Sequence, residues 1–572
     1  MEGKQFQQIW CVDFEFGQSS NLTPEARCMV AREYYSGQLQ RLWLDGVAKL
    51  ACPLPIGENS LYVAYYDSAE MGCHLALGWD LPHSLLDLFC EFRCQTNGLK
   101  LPVKNNLLGA LSLHGLEHIS LTEKEEMREL ALRGGPYSSA EQVALLDYCQ
   151  TDVDALVALL PEMVNKISID HALIRGRYMK AVARIEYVGI PVDMPLLERL
   201  RANWEYLQDD LITSVDEDFG VYEGRTFKID LFARYLNLHQ IAWPRLPSGN
   251  LDLQDKTFRM MAKGYPQLSP LRELRHSLGK MRLNEFKVGA DGRNRTLLSP
   301  FQSKTGRNQP SNSKFIFGSS VWLRGLIKPP AGWGVAYVDW SQQEFGIAAA
   351  LSKDQAMKQA YASGDPYLEF AKIAGGVPTD ATKRSHPEQR ALFKATVLAV
   401  QYGMGRESLG DRIQQPVIVA KDLLRKHREA FRIFWRWSDG NVDYALLHNN
   451  LWTVFGWNLQ VSGQINPRSL ANFLMQANGA EMLRIACILM TEAGIRVCAP
   501  VHDAVLIEAP LEELDERVRQ SQELMSEASR QVLGDFELTT DAEIYHYPDR
   551  YRDEERGGPF WDKVMSLLEE KC

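Results

Sequence analysis

Residues 501–509 read VHDAVLIEA. Apolar positions flank a bare His502-Asp503 pair, a pattern that predicts a β-hairpin of buried strands with one carboxylate exposed at its tip. A carboxylate at a rigid strand turn suits a divalent cation, because no loop has to be ordered when the metal arrives. A second strand-like segment, Gly334–Trp340 (GVAYVDW), also ends on an aspartate, Asp339. Between the two lies a predicted helix with basic residues on one face. Two carboxylates from separate strands and a phosphate-facing basic helix are what two-metal phosphoryl transfer requires.

The 572 residues leave room for about three or four domain-sized units. Apolar content of 45% and charged content of 24% are those of a soluble globular protein. No stretch approaches the length of a membrane span, and the start lacks a signal-peptide pattern, with strand-like WCVDFEF beginning almost at once. The ten cysteines are scattered without a CxxC pair, which fits a reducing cytoplasm rather than a disulfide framework or a zinc ribbon. A net charge of −10 argues at first against nucleic acid, but phosphates are neutralised locally. From Lys256 to Arg307 there are twelve Lys or Arg against Glu273, Glu285 and Asp291. By itself that run is equally a solvated helical face.

Residues 1 to about 165 alternate predicted strands (WCVDFEF, LQRLWLD, SLYVAYYD) with a helix through Leu85–Arg93, an α/β pattern. From about 168 to 290 the periodicity is helical, in HALIRGRYMKAVARIEYVG and LLERLRANWEYLQDDLITSV. Gly292–Ser320 reads as loop or short hairpin. From Gly334 onward strands and long helices mix, as in an α+β catalytic core with a helical insertion.

Val338–Gly346 (VDWSQQEFG), Arg390-x3-Lys394-x7-Tyr402-Gly403 and His502-Asp503 together resemble the A, B and C motifs of family A, Klenow-like DNA polymerases. The likeness in order and spacing runs from about Tyr178 to the C-terminus. The residues support it independently. On a helix from Pro387 to Tyr402, Arg390, Lys394, Leu398 and Tyr402 are spaced by four and share a face. The charged pair can grip β- and γ-phosphates, and the far end offers Leu398 and Tyr402 to the base. Asp339 and Asp503 would hold two Mg²⁺ about 3.5–4 Å apart, one lowering the pKa of the primer 3′-hydroxyl and one neutralising the triphosphate. The resemblance makes Glu344 the gate against a ribose 2′-hydroxyl. It sets Arg468, Asn472 and Gln476, again stepped by four, along the minor groove of the primer–template, with His502 beside them. Thr305-Gly306-Arg307 matches a segment near the primer strand, and the basic run falls where the thumb meets the palm, binding phosphates without reading sequence.

This chain departs from that pattern at several positions. Leu398 stands where an aromatic is usual and Ala399 where a Gly is. Gly346 replaces an Arg, Ala504 a Glu, and Tyr367 a phosphate-binding His. Base stacking, sugar discrimination and phosphate contact are affected, not the metal ligands or the Arg-Lys pair.

Asp13-Phe14-Glu15 puts two carboxylates on one strand face, costly without cations between them. Tyr148-x3-Asp152 lies one helical turn apart on one face. Together they resemble DEDDy-type 3′–5′ exonucleases over about residues 8 to 160. The resemblance implies Asp13, Glu15 and Asp152 as metal ligands and Tyr148 orienting the attacking water. The middle motif, normally Asn-x3-Asp, is Tyr66-x3-Glu70 here; Glu70 keeps the charge, and Asp67 competes with it.

The implied organisation is multidomain, α/β followed by α+β. An RNase H-like exonuclease domain (1–165) precedes a right-hand polymerase: thumb and start of palm (166–330), palm with motif A (331–350), fingers (351–430), and palm with motif C plus the C-terminal part (431–572). The implied cofactors are two Mg²⁺ in each site, with Mn²⁺ able to substitute. The implied partners are primer–template DNA, dNTPs and a single-stranded 3′ end, in the cytoplasm (the host's, for a phage replicative enzyme) and with no membrane. Rival readings are a polymerase with a degenerate, structural exonuclease domain, a DNA-end nuclease whose polymerase body only clamps duplex, and a non-enzymatic DNA-binding scaffold.

Overall fold

The computed structural model describes residues 6–46, 50–117, 121–280, 283, 286–463 and 465–570. Five strands, β1 (Gln8–Gln18), β2 (Pro24–Glu33), β3 (Leu39–Trp43), β4 (Ser60–Ala64) and β5 (Ser84–Asp87), form a sheet in the order β3-β2-β1-β4-β5. β1 is antiparallel to β2 and parallel to β4, and β4 is parallel to β5. Helices α1 (Ser68–Leu77), α2 (Leu88–Thr96), α3 (Leu107–Leu113), α4 (Leu121–Arg133) and α5 (Ser139–Val164) complete this unit. The expected helix over Leu85–Arg93 is in fact a strand followed by a helix. Asp87 makes the break: its carboxylate accepts the Phe89 and Cys90 N–H groups and caps α2.

The second unit begins with α6 (Ile169–Val188) and β6 (Ile190–Pro191), then α7 (Met194–Ala202) and α8 (Trp204–Asp216), so the period read as one segment breaks at Asn203. β7 (Tyr222–Glu223), β8 (Thr226–Phe227), α9 (Ile229–Leu238), α10 (Asp255–Gly264), α11 (Ser269–Lys280) and β9 (Arg293–Asn294) follow. Within the basic run, Arg282 and its neighbour Glu285 lie outside the described residues. Next come β10 (Trp333–Trp340), α12 (Gln343–Ser352), α13 (Gln355–Ala362), α14 (Pro366–Ile373), α15 (Pro387–Gln401), α16 (Arg406–Ile413), α17 (Val417–Ala430) and α18 (Arg432–His448). The chain closes with β11 (Asn450–Trp452), β12 (Asn458–Gln460), α19 (Pro467–Glu492), β13 (Arg496–Val501), β14 (Ala504–Pro510), α20 (Leu514–Leu533), β15 (Thr540–His546) and α21 (Gly558–Glu570). A four-stranded sheet in the order β13-β14-β10-β15 is the floor on which the predicted carboxylates stand. No helix among the described residues is long and apolar enough to cross a membrane.

One apolar core runs from Val12 and Phe14 of the first sheet through Tyr178 and Val182 of α6 to Phe345, Val397 and Ile485. The seam between the units is also polar and buried. Arg175 donates to both carboxylate oxygens of Glu91 at 2.6 and 2.8 Å, with both side chains almost fully buried. Arg93 donates to the carbonyls of Phe301 and Gln302, and Asn97 to those of Lys304 and Asn458. Removing one partner of a buried pair such as Arg175–Glu91 costs about 3–5 kcal/mol, because the other charge is left in a dry interior. The two units are therefore one packed body.

Candidate active sites

The hairpin at Val501–Ala509 forms as expected, with Val501 opposite Ala504 and a two-residue turn between them. His502 carries the left-handed backbone of that turn, at φ 58°. One correction follows: His502 is the exposed side chain at the tip, whereas Asp503 is half-buried. β14 then pairs with β10 so that Asp339 lies opposite Ala504, and the Trp340 N–H donates to the Asp503 carbonyl at 3.3 Å. Register alone thus brings Asp339 beside Asp503.

Sequence reasoning missed β15, whose Asp541 lies directly opposite Asp339 on the other side of β10. Burial, and the carboxylates of Asp503, Asp541 and Glu543, push the Asp339 pKa up to about 6. Burial likewise raises that of Asp503. Concentrated negative charge of this kind fits a divalent cation. Ala504 is fully buried between β13 and β10, which leaves no room for a carboxylate there; a further acidic residue, Asp541, stands two strands away on β15. Gly346 has a packing cause: a Cβ there would come within 2.4 Å of Leu538 Cδ2, leaving no space for an arginine.

α15 begins at Pro387 and keeps Phe393, Val397, Ala399 and Val400 in the core, which leaves Arg390, Lys394, Leu398 and the C-cap Tyr402 on the opposite face. Arg390 is ion-paired with Asp365, the N-cap of α14. Tyr367 is buried at 3% exposure, its ring centroid 5.9 Å from the Arg390 guanidinium and 6.0 Å from the Lys394 ammonium. It supports the two cations from beneath rather than standing out beside them. The Tyr402 hydroxyl donates to the Glu344 carboxylate, which pushes the phenol pKa up together with burial, and Gln401 donates to the Glu344 carbonyl at 2.7 Å.

On α19, Asn472 donates to the Tyr402 carbonyl at 3.4 Å, the stem of Arg468 packs against Gly403, and Gln476 hydrogen-bonds the Tyr402 hydroxyl. Farther along α19 a 740 Å³ cavity opens, lined by Arg307, Asn308, Arg484 and His502 among others. Arg307 lies close enough to Asp503 to favour its charged form. Thr305 and Ser303 share a 3.1 Å hydroxyl contact that shapes the turn before Arg307.

In the first unit, Asp13 and Glu15 on β1 and Asp152 on α5 bring their carboxylate oxygens within 4.8 Å of one another. Burial is the first cause that pushes Asp13 up to about 8 and Glu15 well above the carboxylate range; the neighbouring carboxylates are the second. Three mutually repelling acids sharing one space are a donor set that fits divalent cations. Glu70, on α1, is not one of this trio. It lines the same 540 Å³ cavity, is 4% exposed, and its Oε2 has no hydrogen-bond partner. Tyr148 lines the cavity too. Asp67 is fully buried, with both oxygens unpartnered, and does not line the cavity. Asp87 accepts the N–H groups of Tyr66, Asp67, Phe89 and Cys90, so its carboxylate is used up inside the fold. Lys124 of α4 also enters this cavity, a residue that carried no sequence signal.

Residues 314–545 match the family model described as DNA polymerase family A. The DNA polymerase I of Chloroflexus aurantiacus is 22% identical over 503 residues, covering 82% of this chain and 50% of that protein. The DNA polymerase I of Aquifex aeolicus is 23% identical over 453 residues, covering 70% of this chain and 75% of that protein. The DNA polymerase of Mycobacterium phage D29 is 26% identical over 277 residues, covering 47% and 44%. This chain spans about half the length of the Chloroflexus relative and about a quarter of the thermostable Thermus thermophilus enzyme. Among solved structures, the POL domain of Pol1 from M. smegmatis, in complex with DNA primer–template and dNTP, aligns with a TM-score of 0.72 at 17% identity, covering 95% of each chain. The fold is shared at that distance.

Proposed function

We propose that the chain, whose residues 314–545 match the family model for DNA polymerase family A, is a template-directed DNA polymerase that extends a primer 3′ end with dNTPs and proofreads through a 3′–5′ exonuclease site in its first unit. The observation that carries the polymerase reading is the register that sets Asp339 against Ala504, and so beside Asp503, with the end of α15 tied to α12, the helix that follows Asp339, by the Tyr402–Glu344 hydrogen bond. Asp339 and Asp503 hold the two Mg²⁺, which when bound lower the pKa of the primer hydroxyl and neutralise the triphosphate. Arg390 and Lys394 bind the β- and γ-phosphates, and Leu398 and Tyr402 form the floor under the base. Glu344, held by the Tyr402 hydroxyl, closes the space a 2′-hydroxyl would need. Arg468, Asn472, Gln476, His502, Thr305 and Arg307 track the primer–template.

The exonuclease reading rests on the trio Asp13, Glu15 and Asp152 with Glu70 in the same cavity. It is also supported by a β3-β2-β1-β4-β5 sheet whose first three strands are antiparallel, as in RNase H-like folds. Asp13, Glu15, Glu70 and Asp152 hold the cations and Tyr148 orients the attacking water. Primer extension with each of the four dNTPs, with and without Mg²⁺ and alongside digestion of a single-stranded 3′ end, tests both halves. Template-independent or absent extension overturns the first; undigested 3′ ends in Mg²⁺ and Mn²⁺ leave the first unit a structural domain.

A further inference from the structure

Lys124 extends from α4 into the exonuclease cavity and pairs with Asp152 Oδ2 at 2.8 Å, its ammonium 5.9 Å from the centroid of the Tyr148 ring. It therefore sits beside both Asp152 and the tyrosine, which itself hydrogen-bonds the Asp152 carboxylate. Arg128, one turn along the same helix, lines the cavity as well and forms no ion pair among the described residues. The other arginine on the wall, Arg295, is bound by both oxygens of Asp291.

Resting on the exonuclease reading, we propose that Lys124 and Arg128 bind the backbone phosphates of the 3′-terminal single strand, Lys124 at the phosphodiester next to Tyr148. Asp13, Glu15, Glu70 and Asp152 line one part of the cavity and offer a phosphodiester no donor once they hold cations, so the strand's backbone phosphates beyond the metal site need cationic side chains, which Lys124 and Arg128 supply on the same cavity. Lys124 has the reach for this. A lysine ammonium on a flexible four-carbon stem moves from a carboxylate to a neighbouring phosphate oxygen without backbone change. Nor does α4 need the Lys124–Asp152 pair as an anchor. The carbonyls of Leu130 and Ala131 accept the Tyr137 hydroxyl, and that of Ala131 also accepts Arg27 Nε. A partly exposed pair of this kind contributes at most about 1 kcal/mol to folding.

The test uses the full chain and a mismatched primer–template with 2-aminopurine at the primer 3′ terminus, whose fluorescence rises when the terminal base leaves the duplex. In Ca²⁺, Lys124→Met should weaken seating of the frayed end by about tenfold and lower the salt slope by about one ion. Arg128→Met should have a smaller effect of the same kind, and Lys124→Arg should retain seating. Titration with Mn²⁺ alone should show equal or tighter metal binding in Lys124→Met, because a cation competing for Asp152 is gone. Unchanged seating in Lys124→Met overturns the inference, and so does a parallel loss of Mn²⁺ binding and thermal stability, which marks the lysine as structural. A parent protein that gives no 3′-end-dependent signal overturns the exonuclease reading itself, and the inference with it.

Discussion

Asp541 faces Asp339 across the β10–β15 ladder, on the side of β10 away from Ala504. Ser341 Oγ donates to Asp541 Oδ2 at 2.5 Å, and the Tyr361 hydroxyl bridges the Ser341 carbonyl and the Thr539 N–H. The exposed carboxylate is thereby held against the start of α12, within the field of the proposed metal pair. Asp339→Ala or Asp503→Ala should abolish primer extension while sparing digestion of single strands, since each removes a ligand from one site only. Asp541→Asn should be milder: about a fivefold loss at limiting Mg²⁺, the effect of about 1 kcal/mol between charges in a partly solvated site, recovered at saturating Mg²⁺. Extension by Asp339→Ala at more than a few per cent of the parent rate removes the metal assignment.

The Tyr402–Glu344 hydrogen bond gives the proposed sugar selection a geometric basis. Shortening Glu344 to Ala opens the space that it fills, and the kcat/KM ratio for dNTP over rNTP should drop by at least about tenfold, equivalent to 1.4 kcal/mol of lost discrimination. Tyr402→Phe leaves Glu344 in place but unheld, so its ratio should fall less. Equal ratios in all three proteins locate the selection elsewhere.

Much of this architecture is legible in the sequence, and the losses have physical causes. β1, β10 and the β13–β14 hairpin announce themselves because their apolar residues alternate with, or end on, a carboxylate that has no other reason to be there. α15 and α19 are legible from residues four apart. β2 escapes notice because Arg27 and Glu33 break its apolar run, yet both are buried and satisfied: Arg27 by Glu25 and Asp45, Glu33 by the Ile9 N–H and Ser36. β15 escapes for the opposite reason. It is a polar edge strand with no buried face to give a period of two, so Asp541 carries no signal until the register is known. Lys124 is one of two cations, with Arg128, in the acidic stretch Glu123–Glu129, and only the packing of α4 brings it to Asp152.

The middle exonuclease carboxylate can be assigned by what each candidate's oxygens already do. Glu70→Ala should reduce single-strand digestion by orders of magnitude, as Asp13→Ala should, and leave extension intact. Asp67→Ala should do little to digestion, because Asp67 is sealed away from the cavity. Asp87→Ala should instead lower thermal stability, by about 2–4 kcal/mol, since four backbone N–H groups lose their acceptor. Loss of digestion in Asp67→Ala with a stable fold, and none in Glu70→Ala, would move the ligand by three residues.

Acid sensitivity of α17 and the helices packed against it should trace to His427. The ring is fully buried among Phe370, Phe431, Phe434 and Trp435, and its Nδ1 accepts the Trp435 indole N–H at 3.1 Å. Burial, with the neighbouring Arg428 adding to it, pushes its pKa down to about 3. An unfolded chain protonates this histidine near pH 6.5 while the folded one does not. Stability is therefore present above about pH 6.5 and is lost progressively as the pH falls toward 3. At pH 5 the loss from this one group is about 2 kcal/mol, from 1.36 kcal/mol per pH unit. His427→Phe, which keeps a ring in the cage and removes the titration, should be slightly less stable than the parent at pH 7.5, where the Trp435 N–H is left unpaired. It should gain relative to the parent as the pH is lowered to 5. Urea unfolding followed by tryptophan fluorescence at both pH values measures this, and a stability difference between the two proteins that is independent of pH removes His427 as the source.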